Sequence, residues 1–195
     1  MIGCDLCRDY KPHTHTERLN KIPSAPTILV CGTGDIAFCK PKYVRQIIDT
    51  IDAHKPRKPK LYYLQSKNPA CFRQYLPWLD EKYILVTTLE TNRDTGYAEI
   101  SQAPPPSIRF ADFYALNYPR KVVTIEPVLD FDLDTFTNWI LSLMDQGTLQ
   151  YVWFGYDSKR CSLPEPSTEK AQRLVDILKG HGVEVRGKTL RGVKV

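Results

Sequence analysis

The sequence predicts an α/β protein, a partial (βα) barrel of about six parallel strands. Three observations predict it. Apolar runs of strand length alternate with amphipathic stretches of helix length along the chain. The runs lack a regular inside–outside alternation, as strands covered on both faces do. No GxGxxG follows the first run and no phosphate-loop motif occurs, which sets a curled sheet ahead of an open dinucleotide-binding one.

The first strand is expected over 27–31, Thr-Ile-Leu-Val-Cys, running into the tight loop Gly32-Thr33-Gly34-Asp35. Pro41 opens a helix over 41–53, in which Val44, Ile47, Ile48 and Ile51 recur at helical spacing. A second strand over 61–65 is closed by Ser66-Lys67-Asn68-Pro69, and a helix over 70–79 follows. A third strand over 83–89 ends at Glu90-Thr91-Asn92-Arg93. The triple proline 104–106 forbids a long helix, so helical structure resumes over 108–116. A fourth strand, 121–125, ends at Glu126-Pro127, and the amphipathic helix 133–144 has Asp132 or Asp134 to cap its start. A fifth strand, 149–154, runs into Gly155-Tyr156-Asp157. The last helix opens at 167–169 and closes at Lys179-Gly180, with Gly180 as its C-cap, before a short strand over 183–185. Trp78, Trp139 and Trp153 are assigned to the core, and Tyr62 and Tyr63 to opposite sheet faces. His54 and His181 fall at helix ends, where the dipole favours them.

A chain of 195 residues holds one core with at most a small appendage, here a Cys/His-rich segment over 1–20 before a barrel over 21–195. Hydrophobic content of 42% and charged content of 25% exclude a disordered or fibrous protein. No apolar run reaches the ~20 residues of a membrane-spanning helix. No charged-then-apolar leader begins the sequence, so a cytoplasmic protein without a membrane partner is expected. The six cysteines are too few and too scattered for a disulfide scaffold, and Cys31, Cys39, Cys71 and Cys161 read as thiols in a reducing compartment. Net charge is a mild +5. The basic run 54–60, His-Lys-Pro-Arg-Lys-Pro-Lys, reads either as a solvated loop or as a phosphate contact for nucleic acid.

Cys4 and Cys7 form a CxxC, and His13 and His15 an HxH directly after it. All four side chains ligate metals, and each pair is spaced to grip one ion from a single turn. A Cys₂His₂ zinc would staple this segment, although both the gap between the pairs and the HxH are tighter than in a zinc finger.

Ligands of parallel α/β folds bind at the carboxyl ends of the strands. There the sequence places Thr33 and Asp35, Ser66 and Lys67, Glu90 and Arg93, Glu126, then Tyr156 and Asp157. Carboxylates in such positions accept hydrogen bonds from ammonium groups or ribose hydroxyls. Lys67 and Arg93 are suited to a carboxylate or a phosphate.

The order of these segments carries a resemblance: CxxCRDYxPHxHxERL, then strands ending CGTGD, QSKNP, TTLETNR, IEPV and GYD. It resembles the radical-SAM superfamily, and within it a phage-associated branch distantly similar to spore photoproduct lyase. The resemblance spans Cys4 to about Gly187 and rests on order and spacing rather than on one motif. It implies a partial barrel that binds S-adenosylmethionine at a [4Fe–4S] cluster. It further implies that Gly32, Thr33, Gly34 and Asp35 meet the methionine amino group, with Asp35 as the acidic member. Glu90 and Arg93 then fall at ribose and carboxylate contacts, and Glu126 at a further strand end facing the same cleft.

The superfamily's CxxxCxxC loop needs three cysteines to leave one iron open to the cofactor. Only Cys4 and Cys7 stand here. They are either the last two of the triplet or part of a separate segment after it, and the chain is expected to be N-terminally incomplete relative to the superfamily. Three functions compete: a radical-SAM-like protein acting on an unknown substrate, nucleic acid among the candidates; a non-catalytic zinc-stapled α/β module; and a nucleic-acid-binding protein using the 55–60 basic loop.

Overall fold

The computed structural model describes residues 4–9, 11, 13–19, 21–32 and 34–195. Six strands form one all-parallel sheet curled into a half barrel, as the sequence predicts: β1 (Thr27–Val30), β2 (Leu61–Gln65), β3 (Tyr83–Thr88), β4 (Lys121–Ile125), β5 (Leu149–Phe154) and β6 (Val185–Gly187). The strands lie side by side in chain order, and every neighbouring pair is parallel. Among the described residues, six α-helices accompany them: α1 (Asp5–Arg8), α2 (Pro41–Ala53), α3 (Tyr97–Ile100), α4 (Pro106–Tyr114), α5 (Leu133–Asp145) and α6 (Thr168–Gly180). Among the described residues, no helix is long and apolar enough to cross a membrane.

Alternate strand residues serve the two sheet faces. Tyr62, Leu64, Tyr83, Leu85, Val123, Ile125, Val152 and Phe154 enter the main core on the helix side, where α2 contributes Val44, Ile47, Ile48 and Ile51. Burying four such aliphatic side chains stabilises the α2 contact by several kcal/mol, at ~1.5–3 kcal/mol each. On the inner face, Ile84, Val86 and Val122 form a smaller buried cluster flanked by Leu61, Tyr63 and Tyr151. Tyr62 and Tyr63 therefore do part to opposite faces.

Several local expectations are corrected. The helix expected over 70–79 is two 3₁₀ segments, Pro69–Gln74 and Leu76–Trp78. Pro77 lacks the N–H an α-helix would need there. Pro106 sits at the start of α4 and begins it two residues earlier than expected. Asp132 occupies the N-cap position of α5 without capping it, because its carboxylate is drawn to Arg93. Gly180 remains helical, His181 is the C-cap, and Gly182 takes the left-handed turn at φ +85°. This extra turn moves β6 to 185–187. Trp78 is 44% exposed rather than core, with the Arg45 guanidinium 4.4 Å above its ring. Trp139 packs against the main core, and Trp153 stands half-buried on the inner face.

Candidate metal centre and cleft

The first turn of α1 explains the geometry of the CxxC. Cys4 is the N-cap, and its sulfur accepts the Cys7 backbone N–H at 3.4 Å, which turns both sulfurs to one side. His13 Nε2 stands 3.3 Å from each sulfur. His15 Nε2 is 3.1 Å from Cys7 Sγ and 3.9 Å from Cys4 Sγ, and the two Nε2 atoms are 2.8 Å apart. All four ligand atoms lie within 4.8 Å of one another, so the group could hold a metal ion. The far ring nitrogens are also engaged. His13 Nδ1 meets the Lys11 carbonyl and His15 Nδ1 the Glu17 carboxylate, each at 2.7 Å. Protonation of both Nδ1 atoms leaves the Nε2 lone pairs facing the common centre.

The group is fastened to the barrel. The Tyr43 hydroxyl donates to the His15 carbonyl at 3.1 Å, and Tyr43 lies in the first turn of α2. Because α2 follows β1, this turn lies at the carboxyl end of the sheet. Cys31, Cys39 and Cys71 are half-buried against the core. Burial pushes the Cys31 thiol up to about 12, with Cys39 adding to it, and burial likewise pushes Cys71 up to about 12.

At the same end, a cleft of 250 Å³ is lined by Leu29, Gly32, Gly34, Gln65, Lys67 and Thr88, among others. Asp35 also lines it, but as a clamp. Its Oδ1 accepts Ala37 N–H at 2.8 Å and the Ser66 hydroxyl at 2.6 Å, and its Oδ2 accepts Lys67 N–H at 2.7 Å. One side chain thereby fixes the loop after β1 to the loop after β2. A Cβ on Gly34 would meet nothing within 4 Å, so the backbone there is open to a ligand. Thr33, expected at the same site, lies outside the described residues.

The structure brings Lys67 and Glu90 together as an ion pair. Glu90 is 2% exposed and also accepts from Arg109 Nη1 at 2.7 Å and from the Tyr97 hydroxyl at 3.2 Å. Arg109 was not among the residues expected at the site. Its signal is weak, a lone arginine within Ser-Ile-Arg-Phe on a short helix. Glu126 accepts the Trp153 indole N–H at 2.7 Å and faces Lys188 at 3.4 Å. Thr124 donates to the Thr88 hydroxyl at 2.8 Å and links β4 to β3.

Arg93 is placed differently. It donates to Asp130 and Asp132, each at 2.6 Å, and is not among the residues lining the cleft. The Asp132 hydrogen bond first, then Asp130, raises its affinity for the proton, so it is committed to this pair. Tyr156 is buried, and Asp157 folds its own loop by accepting the Lys159 and Cys161 backbone N–H groups. In the basic run, Lys60 braces the chain by donating to the Pro23 and Ala25 carbonyls at 2.9 and 2.6 Å. That run precedes β2 and so lies at the end of the sheet opposite the cleft.

Compared with protein-family models, curated proteins and solved structures, the chain has no match.

Proposed function

We propose that the chain is a radical-SAM-like half barrel that takes S-adenosylmethionine at the carboxyl end of its sheet and carries a structural zinc on Cys4, Cys7, His13 and His15. The carrying observation is the gathering of the clamped, glycine-lined loop after β1, the Lys67–Glu90 pair and the Cys/His group at that one end. The sequential six-stranded parallel sheet supports the same reading, and so does the order of motifs along the chain.

The donor set favours zinc over an iron–sulfur cluster. Four atoms converging within 4.8 Å surround one point, as a tetrahedral ion requires. A [4Fe–4S] cluster needs thiolates spread around a four-iron body, three of them if one iron is to stay open. Two thiolates and two imidazoles drawn to one point do not fit it. Among the described residues, no third cysteine joins the group. No radical step is therefore derived from these ligands. A closed Cys₂His₂ zinc supplies no open coordination position, and its contribution is to hold residues 4–18 against α2.

For the cofactor, Asp35 shapes the loop rather than offering a free carboxylate, and Gly34 leaves room for close approach. Lys67, Gln65 and Thr88 offer polar atoms to a ligand in the cleft.

Metal analysis of the purified chain, paired with calorimetric titration of S-adenosylmethionine, tests the proposal. One zinc per chain and saturable binding that weakens in Asp35→Ala are expected. Absence of binding to the zinc-loaded chain would remove the cofactor reading, and an iron content without zinc would remove the structural-zinc reading.

A further inference from the structure

We infer that the inner end of the cleft is an oxyanion subsite, in which Lys67 is the ligand-facing cation and Arg109 the buried positioning residue that releases it for that role. The inference extends the cofactor reading to the group that anchors the ligand, and it can be tested apart from it.

The charges around Glu90 do not balance. One carboxylate, 2% exposed, faces two cations, Lys67 and Arg109. The two cations are not equivalent. Arg109 is fully buried, donates to both Glu90 Oε2 and the Thr88 carbonyl, and has its guanidinium 4.8 Å from the centre of the Tyr97 ring. It cannot leave without stranding a buried carboxylate, a costly state. Glu90 is thus neutralised from behind by Arg109 and further served by the Tyr97 hydroxyl. Lys67, with a side chain 38% exposed, is the surplus cation, and it is the one that lines the cleft.

A second observation points the same way. Among the described residues, Arg109 Nε and Nη2 are buried without a hydrogen-bond partner. Buried donors are almost always paired, and an unpaired guanidinium edge leaves positive potential undispersed in a medium of low dielectric. That potential adds to Lys67 at the same strand end. The Thr88 hydroxyl accepts from the Gln65 amide at 3.1 Å and from Thr124 at 2.8 Å, which leaves its own proton to donate, so beside Lys67 the cleft offers a cation and a neutral donor, while Asp35 is occupied by its own clamp. Such a set matches a carboxylate or a phosphate group. Arg93, the other cation considered for this role, is consumed by Asp130 and Asp132.

The test titrates the zinc-loaded chain with inorganic phosphate, S-adenosylmethionine and decarboxylated S-adenosylmethionine, in wild type and in four variants. If the anion is the cofactor's carboxylate, affinity falls about tenfold or more both on decarboxylation and in Lys67→Gln, the scale of one hydrogen bond between charged groups. Lys67→Arg should restore most of it. If phosphate binds in a Lys67-dependent manner and S-adenosylmethionine does not bind, the subsite stands and the cofactor reading falls. Glu90→Gln removes the competing carboxylate and should tighten anion binding, a gain that structural damage cannot produce. Arg109→Lys should bind more weakly than wild type, because Lys67 is then drawn further toward Glu90. Binding of phosphate or of S-adenosylmethionine that is indifferent to Lys67, or binding of neither, overturns the inference. So does a loss of anion affinity in Glu90→Gln when the variant's circular dichroism and melting temperature match those of wild type.

Discussion

Tyr43 donates its hydroxyl proton to the carbonyl oxygen of His15 at 3.1 Å, which ties a candidate metal ligand to the first turn of α2. This bond joins the Cys/His segment to the barrel at the end where the cleft opens. Removing the metal with a chelator should expose residues 4–18 to protease while far-UV circular dichroism stays nearly unchanged, because the group lies outside the main core. Tyr43→Phe should weaken zinc retention severalfold, at ~1 kcal/mol for one hydrogen bond. Equal protease sensitivity with and without metal would speak against the staple.

Asp35 holds two loops at once through the Ser66 hydroxyl and the Lys67 and Ala37 amides. Asp35→Ala leaves those donors without acceptors. It should cost roughly 2–3 kcal/mol in urea unfolding, and it should enlarge hydrogen exchange at Lys67. An unchanged midpoint would mean that the clamp carries little of the local stability.

Lys121 is fully buried, faces the Phe113 ring at 5.5 Å and donates to the Tyr114 carbonyl at 3.3 Å. Burial pushes its pKa down to about 8. Unfolded, it titrates near ~10.4. Below 8 both states carry the proton, and the folded state bears the full cost of a buried charge. Between 8 and ~10.4 the unfolded state binds more protons, so stability rises with pH. Lys121→Met should therefore stabilise the protein at pH 7 by up to roughly 3 kcal/mol, with the advantage shrinking toward pH 10. The difference between wild-type and variant denaturation midpoints across pH checks the sign.

A Cβ on Gly155 would lie 2.5 Å from the Lys188 carbonyl oxygen, and one on Gly187 would press into the Phe154 carbonyl. Gly155→Ala and Gly187→Ala should each lower the melting temperature by several degrees, since the obstacle is backbone and cannot rotate aside. Gly34→Ala, with open space around it, is the tolerated control.

Thiol labelling at pH 8 should modify exposed Cys161 at once and leave Cys31 and Cys71 to react only as the protein unfolds. With both half-buried thiols near 12, their thiolate fraction at that pH is only ~10⁻⁴. Prompt labelling of Cys31, mapped by mass spectrometry, would mean that the β1 end opens in solution.

The first five strands were legible because five apolar runs, each bounded by turn residues, leave little choice of element or of sheet type, whereas the Val-Arg-Gly of β6 carries no such run. The Cys/His group was legible from spacing alone, as one turn of chain dictates where Cys4 and Cys7 point. The 3₁₀ character of 69–78 was not read, although Pro77 announces it. Trp78 misled because size and apolarity suggest burial, whereas Arg45 covers its face in solvent. Arg109 was invisible for a deeper reason. Nothing local marks an arginine on a short helix as buried. Its environment is made by Glu90, nineteen residues earlier, and by the curl of the sheet that brings α4 beneath that carboxylate.

Because strand order equals chain order, each new strand finds its partner already in place as the polypeptide lengthens. Each pairing spans one βα unit, and no strand pairs with a segment beyond its neighbour in the chain. A ribosome-bound chain could lay down β1, then β2 beside it, and so on to β6. Stalled or truncated products should carry an exposed parallel edge one strand further back with each deletion. That edge, rather than the apolar core, is where a quality-control factor would find its grip.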